Sequence, residues 1–263
     1  MEIIKILNKS EIFNSLLDIN QKKNIITFIK NLNKKQKKDI FYSIQKKIMN
    51  NKILSNKMLN YNGLYVSRII FAEKYIMNKL PSYENNPYFK SYMEKGYVVI
   101  NDFLDEKDFN NLQREVFSLI NNKKLHVKYT RKAGVGMTKI FKDKLSKGVI
   151  DFYNNKKLIN LLQFCSFMYK SKNIINNSKQ YIEILEHVDE SEDVQKVWHV
   201  DTFHFTCKWW FYIEDVLDEK KGPLEYIEGS HLNTYKKVKY EYDLLNELLS
   251  NKKDCWASLE GSF

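Results

Sequence analysis

No glycine precedes Gly63 and no proline precedes Pro81. A stretch that long without either residue lacks the strongest turn formers and helix breakers, so helices joined by short polar connections are expected. The apolar residues agree. Ile12, Leu16 and Ile19 recur at helical spacing, as do Ile25, Phe28, Ile29 and Leu32, and Ile40, Tyr42, Ile44 and Ile48 continue the series less regularly. Residues 1–80 are therefore expected to form a helical extension of amphipathic helices with Lys- and Asn-rich outer faces. The basic run Lys34-Lys35-Gln36-Lys37-Lys38 reads as a solvated turn.

The segment Pro81-Ser82-Tyr83-Glu84-Asn85-Asn86-Pro87 carries two of the three prolines and marks a boundary. A second domain is expected over 88–263. Its opening reads as a short apolar strand, Tyr97-Val98-Val99-Ile100, then a helix capped by Asp105 and running to about Ile120. Phe109, Leu112, Val116, Phe117 and Ile120 mark that helix's buried face. Gly134-Val135-Gly136 lacks the third glycine of a dinucleotide fingerprint, and Tyr129 to Phe141 reads as a flexible loop. Phe152 to Lys170 reads as helical.

From Gln180 the period changes to two. Strands are expected at Tyr181–Glu186, Val194–Asp201, Lys208–Ile213 and Leu224–Ile227. That density of short strands indicates an antiparallel barrel or sandwich, hence an α+β chain. A helical patch follows at Tyr242 to Leu249, and Cys255 to Phe263 begins to resemble a further strand.

Composition narrows the partners. The net charge is +11, which suggests an anionic partner, yet of the 43 basic residues only Arg68, Arg114 and Arg131 are arginine. A nucleic-acid surface usually draws on arginine for bidentate contacts, so a Lys/Asn/Ile bias of the whole sequence is the better account and nucleic acid is not favoured. Cys165, Cys207 and Cys255 are widely spaced, with no C-x-x-C zinc pattern, which suits a reducing compartment. No run approaches the roughly 20 apolar residues needed to span a bilayer. A cytoplasmic protein with no membrane partner is expected.

The chemistry concentrates in Trp198-His199-Val200-Asp201-Thr202-Phe203-His204. On a strand, residues two apart face the same way, so His199 and Asp201 can aim a nitrogen and a carboxylate oxygen at one point. That is two-thirds of the 2-His-1-carboxylate arrangement that holds iron(II) and leaves other positions open. Trp198, Phe203 and Phe205 would keep such a site dry. Taken alone, the pair also fits a core histidine beside a solvated aspartate. Downstream, Gly222-Pro223-Leu224-Glu225-Tyr226-Ile227-Glu228-Gly229-Ser230-His231 reads as a turn, a strand and a second turn.

As an ordered set, these motifs resemble the phytanoyl-CoA dioxygenase family of iron(II), 2-oxoglutarate-dependent oxygenases. The resemblance rests on Gln195-x-x-Trp198-His199-x-Asp201-Thr202-Phe203-His204, on the strand ending Ile213-Glu214-Asp215-Val216, and on Gly222-Pro223-Leu224 through Gly229-Ser230-His231. Gly96 through Leu104 looks like that family's usual opening strand and helix. The likeness covers about residues 88–263 and leaves the first 80 unexplained. It implies a double-stranded β-helix core of the jelly-roll or cupin kind, iron(II) held by His199 and Asp201, and 2-oxoglutarate and O2 as co-substrates in hydroxylating a small molecule.

The family's third ligand is a histidine on a later strand, followed by an arginine that binds the far carboxylate of 2-oxoglutarate. The sequence stops at Leu259-Glu260-Gly261-Ser262-Phe263, which resembles the start of that strand, so a C-terminally truncated, incomplete core is expected, with weak iron binding and reduced or absent activity. His231 is an outside candidate for the third ligand. Lys208 and Arg131 are candidate partners for the co-substrate carboxylate; Trp209 and Trp210 alternate faces, so one is expected in the core and the other lining the pocket, with Trp210 the candidate for the cofactor side. His204, His187 and Gln195 are peripheral. A different class also fits: a non-catalytic binding module that keeps the barrel as a scaffold and uses its basic helices against an acidic partner. A zinc hydrolase would share the ligand deficit and has no general-base glutamate beside the motif.

Overall fold

A computed structural model describes residues 2–42, 48, 51–78, 80–130, 136–166, 180–186, 207–218 and 223–251. In chain order the helices are α1 (Glu2–Asn8), α2 (Glu11–Leu16), α3 (Ile19–Asn31), α4 (Lys34–Lys37), α5 (Lys57–Tyr61), α6 (Leu64–Met77), α7 (Pro87–Lys95), α8 (Glu106–Asn121), α9 (Lys147–Tyr153), α10 (Lys156–Cys165) and α11 (Tyr235–Asn251). A π-helical turn, Lys38–Tyr42, extends α4. The strands are β1 (Val127–Thr130), β2 (Gly136–Phe141) and β3 (Tyr181–Glu186). The protein is α+β. No helix among the described residues is long and apolar enough to cross a membrane.

Local chemistry explains the helix starts. Asp18 accepts from the Gln21 backbone N–H at 2.8 Å while the Gln21 side chain accepts from the Asp18 N–H at 2.9 Å. Asn33 and Gln36 repeat this capping box at the head of α4. Asn56, Asn86 and Asn155 cap α5, α7 and α10. These asparagines satisfy orphan N–H groups at the starts of their helices.

The described residues divide into two compact units, the first drawing on those up to 81 and from 231 to 251, the second on those between 82 and 186 and between 207 and 230. In the first unit, α1–α6 surround a core of Leu7, Phe13, Ile25, Ile29, Phe41, Leu64 and Phe71. Helix α11 belongs here: Val238, Tyr242, Leu245 and Leu248 enter the same core. The sequence divides the chain once, near 81–87, whereas the C-terminal helix returns to the N-terminal ones. Between α5 and α6, Gly63 has φ +91, and a Cβ there would sit 2.3 Å from Leu17 Cδ1. Only glycine suits both the backbone sign and the space.

The second unit holds a three-stranded antiparallel sheet of order β1-β2-β3. Val127 pairs with Lys139 and Thr130 with Gly136; Gly136 also pairs with Glu186 and Phe141 with Tyr181. The expected loop at 129–141 is corrected to the two strands of a hairpin, with 131–135 outside the described residues. Thr138 and Ile140 are buried on one face of β2. On the other face Lys139 Nζ lies 3.2 Å from the opposed Glu183 and 3.9 Å from the Tyr181 ring centroid. Leu112 and Val116 of α8, Ile140, Leu145, and Val149 and Tyr153 of α9 form the core beneath. Glu115 of α8 accepts from Ser146 Oγ and from the Gly148 N–H, which places a carboxylate at the positive start of α9.

Three expected strands read differently here. Tyr97–Ile100 carries no sheet pairing and ends in a turn where Asp102 has φ 49. Lys208–Ile213 and Leu224–Ile227 are non-helical and have no ladder partner among the described residues. The alternation survives nonetheless: Trp209, Phe211 and Ile213 pack on the core of the unit, while Trp210 and Tyr212 are half exposed. Val194–Asp201 and Cys255–Phe263 lie outside the described residues, as does the end of the helix expected to reach Lys170. That helix is instead two, α9 and α10, broken at Asn154-Asn155.

Candidate functional site

His199 and Asp201 lie outside the described residues, together with Arg131, His187, Gln195 and His204. Among the described residues no group of three or more His, Cys, Asp or Glu side chains is placed to hold a metal ion. Three other candidates are described. Lys208 is exposed, Trp210 keeps about half its surface, and His231 is partly buried just after the Gly229-Ser230 turn.

The segments that flank the predicted ligands do meet within the second unit. The turn after Leu224–Ile227 closes with the Ser230 N–H donating to Ile227 O at 3.0 Å. Gly229 occupies the left-handed region at φ +78, as that turn requires. Its N–H donates to Lys95 O at 2.9 Å, at the end of α7. Lys95 Nζ stands 3.9 Å from Glu228, and the Tyr97 and Tyr226 rings are 5.4 Å apart. The Gly222–His231 motif is thereby joined to the start of the Gly96–Leu104 motif, more than a hundred residues earlier. Further along that motif, Phe103 meets Phe211 at 6.4 Å and Phe152 at 6.1 Å. Gln113 of α8 donates to Ile213 O at 2.5 Å and anchors the extended segment by its backbone. Trp209 packs edge-on to Tyr153 at 5.4 Å, and burial pushes the Tyr153 phenol up to about 12.

The second unit also carries an open groove of about 740 Å³, lined by Phe141, Lys142, Asp143, Ile150, Gln180 and Tyr181. It sits at the end of the sheet where β2 leaves and β3 enters. The rings of Phe141 and Tyr181 offer apolar surface, while Lys142 and Asp143 put one charge of each sign on its rim. Such a groove can receive a mixed apolar and polar molecule.

The most perturbed acid of the first unit lies elsewhere, inside the helical core. Tyr65 of α6 donates to the Glu241 carboxylate of α11. Burial pushes Glu241 up from the usual carboxylate range, against the opposing pull of Lys237 and of the Tyr65 hydroxyl. Burial also lowers the neighbouring Arg68 to about 10, with its Nε donating to Ile40 O at 2.8 Å. Asn233 donates to Glu73 at 3.2 Å. Sequence periodicity missed this network because Glu241 sits on the buried stripe of α11, where an apolar residue is the usual choice.

Comparison with known protein families, with curated proteins and with solved structures finds no match.

Proposed function

We propose that the chain is a non-haem iron(II), 2-oxoglutarate-dependent oxygenase domain of the phytanoyl-CoA dioxygenase type, with a double-stranded β-helix core, acting on a small molecule. The observation that carries this reading is the convergence of its motif segments. Gly229 bonds to Lys95 beside Gly96, and Phe211 packs on Phe103. Three of the segments that the resemblance places in one barrel, within 96–104, 208–213 and 223–230, are neighbours in one unit.

The donor set suits the metal: a neutral imidazole nitrogen from His199 and a carboxylate oxygen from Asp201 match the preferences of iron(II). When bound, iron(II) with 2-oxoglutarate and O2 supplies the oxidising power for hydroxylation of a C–H bond. The residues of the chain have the other tasks. Asp201 offsets the metal's charge, and His199 must stay unprotonated to act as a ligand, so metal affinity falls as pH drops through the imidazole range. Trp198, Phe203 and Phe205 would exclude water around the pair. Lys208 or Arg131 offers the cation that a dicarboxylate co-substrate requires.

Anaerobic titration of the protein with iron(II) and 2-oxoglutarate tests the reading. With two protein ligands binding is expected to be weak, so the expected result is a visible charge-transfer band at high iron(II) that disappears in both His199→Ala and Asp201→Ala, with conversion of 2-oxoglutarate to succinate in air reduced or absent. Metal binding that is indifferent to both substitutions sinks the proposal. Salt-sensitive capture of a polyanion surviving both would instead favour a scaffold whose basic helices do the binding.

A further inference from the structure

The net charge is not spread over the chain. Residues 1–81 hold 16 lysines and arginines against 5 acidic residues, which leaves 27 of each sign from the totals of 43 and 32. The whole excess of +11 therefore belongs to the N-terminal helical segment. A composition bias acting on the entire sequence would charge both parts alike, so it does not account for this division.

The excess gathers on α3 and α4. From Ile19 to Lys38 there are seven lysines and no acidic residue. Lys23, Lys30, Lys34, Lys35 and Lys38 are exposed, and none of them is ion-paired among the described residues. Positions 19, 23 and 30 fall on one stripe of α3, because four and eleven residues are close to whole helical turns. That stripe lies away from Ile25 and Ile29, which are buried. Its first member, Ile19, is 80% exposed. The stripe thus presents an aliphatic side chain and two lysines over about 17 Å. Lys34 and Lys35 follow in the first turn of α4.

We propose that this face of α3 and α4 docks on an anionic lipid surface, with its lysines among the headgroups and Ile19 at the boundary of the acyl chains. Such contact runs along the membrane and needs no spanning helix. Each lysine close to an anionic bilayer adds on the order of fivefold in affinity, so five unpaired ones suffice for reversible capture. Other occupants fit less well. Arg68 is the one arginine of the first 81 residues, and it is buried with its Nε on Ile40 O, so the exposed cations are ammonium groups without the bidentate fork that suits nucleic-acid readout. The stripe carries no aromatic ring for a base to stack on, and Phe28 of the same helix packs on the core. A second copy of the chain would bring like charge. One aliphatic side chain is too little for the apolar centre of a specific protein interface.

Flotation of the whole chain with vesicles tests this. Vesicles of phosphatidylcholine alone are compared with vesicles holding roughly 30 mol% phosphatidylserine. Capture by the second kind only is expected, and its loss at roughly 0.5 M salt. Lys23→Glu combined with Lys30→Glu should weaken capture by about tenfold or more, and Ile19→Asn by about threefold. Lys123→Glu combined with Lys124→Glu makes the same change in net charge on exposed lysines of the second unit, and should alter capture by less than about twofold. No capture by the charged vesicles, or equal losses from the two lysine pairs, overturns the proposal. So does tighter binding to duplex RNA or to polyglutamate than to the charged vesicles at the same salt, which would assign the face to nucleic acid or to an acidic protein. If a variant does not fold, the lipid and salt dependence of the unsubstituted chain decides. Every position of the docking face belongs to the first unit and iron titration is unaffected by these outcomes, so the proposal stands or falls separately from the oxygenase reading.

Discussion

The first unit fixes its core through helices, each of which satisfies its own backbone before any side chain is packed; the second fixes part of its core through extended segments that lack a ladder partner among the described residues. In the first, Ile25, Ile29 and Leu245 are presented by hydrogen-bonded turns. In the second, Trp209, Phe211 and Ile213 are held by ring contacts with Phe103, Phe152 and Tyr153 and by the bond from Gln113 to Ile213 O. In the helical unit, then, a lost side chain subtracts packing from an element that persists. In the other, the side chains themselves hold the backbone in place.

The largest expected effect breaks a helical junction. Gly63→Val forces a β-branched residue into a left-handed position against Leu17, and a loss of roughly 4 kcal/mol in urea-unfolding stability is expected. A loss under about 1 kcal/mol would mean that α5 and α6 can re-seat, and that the helical unit is less tightly determined than its core suggests.

A paired substitution sharpens the contrast. Trp209→Ala should cost about 2 kcal/mol, less than a fully buried tryptophan because Trp209 is partly exposed, while Trp210→Ala should stay within about 0.5 kcal/mol. Limited proteolysis should cut within 207–218 faster in the first variant and at an unchanged rate in the second. Equal effects would show that the alternation of faces does not hold the segment.

The smallest effect concerns Glu241. Its carboxyl is raised in the folded protein, so between the ordinary carboxylate value and the folded one the native state binds more protons than the unfolded chain. Stability then falls as pH rises through the folded value. Glu241→Gln keeps an acceptor for Tyr65 and removes the charge. Thermal unfolding across mildly acidic to neutral pH should lose that slope, with a change under about 1 kcal/mol at its lower end. An unaltered slope would assign the pH dependence to other groups.

The helices were the legible part of this sequence, because their period and their Asn and Asp caps are local signals. The phase of the first helices was not. The spacing of Ile12, Leu16 and Ile19 predicts one continuous helical face, but α2 ends at Leu16 with Leu17 as its cap, and Asp18 caps the next helix. Phe13 and Leu17 are therefore the buried residues, and Ile19, at the first position of α3, is 80% exposed. The hairpin at β1 and β2 was hidden because Gly134-Val135-Gly136 reads as a loop, and strands on either side of a glycine pair need a partner, here β3, that only the fold reveals. The reverse error at Tyr97–Ile100 has the same origin: strand-like residues do not make a strand without a ladder. His199 and Asp201 were read from their spacing and lie outside the described residues.

The turn glycines point to a last consequence, for how this sequence can drift over its descent. At Gly229 no atom lies within 4 Å of where a Cβ would stand, so the only demand is the sign of φ. Asn and Asp tolerate that conformation, and such replacements would leave the bond to Lys95 intact. At Gly63 the sign and the space are both prescribed, and no other residue meets them. Among descendants of this sequence, position 229 should wander among three residue types while position 63 stays fixed, although both glycines form turns.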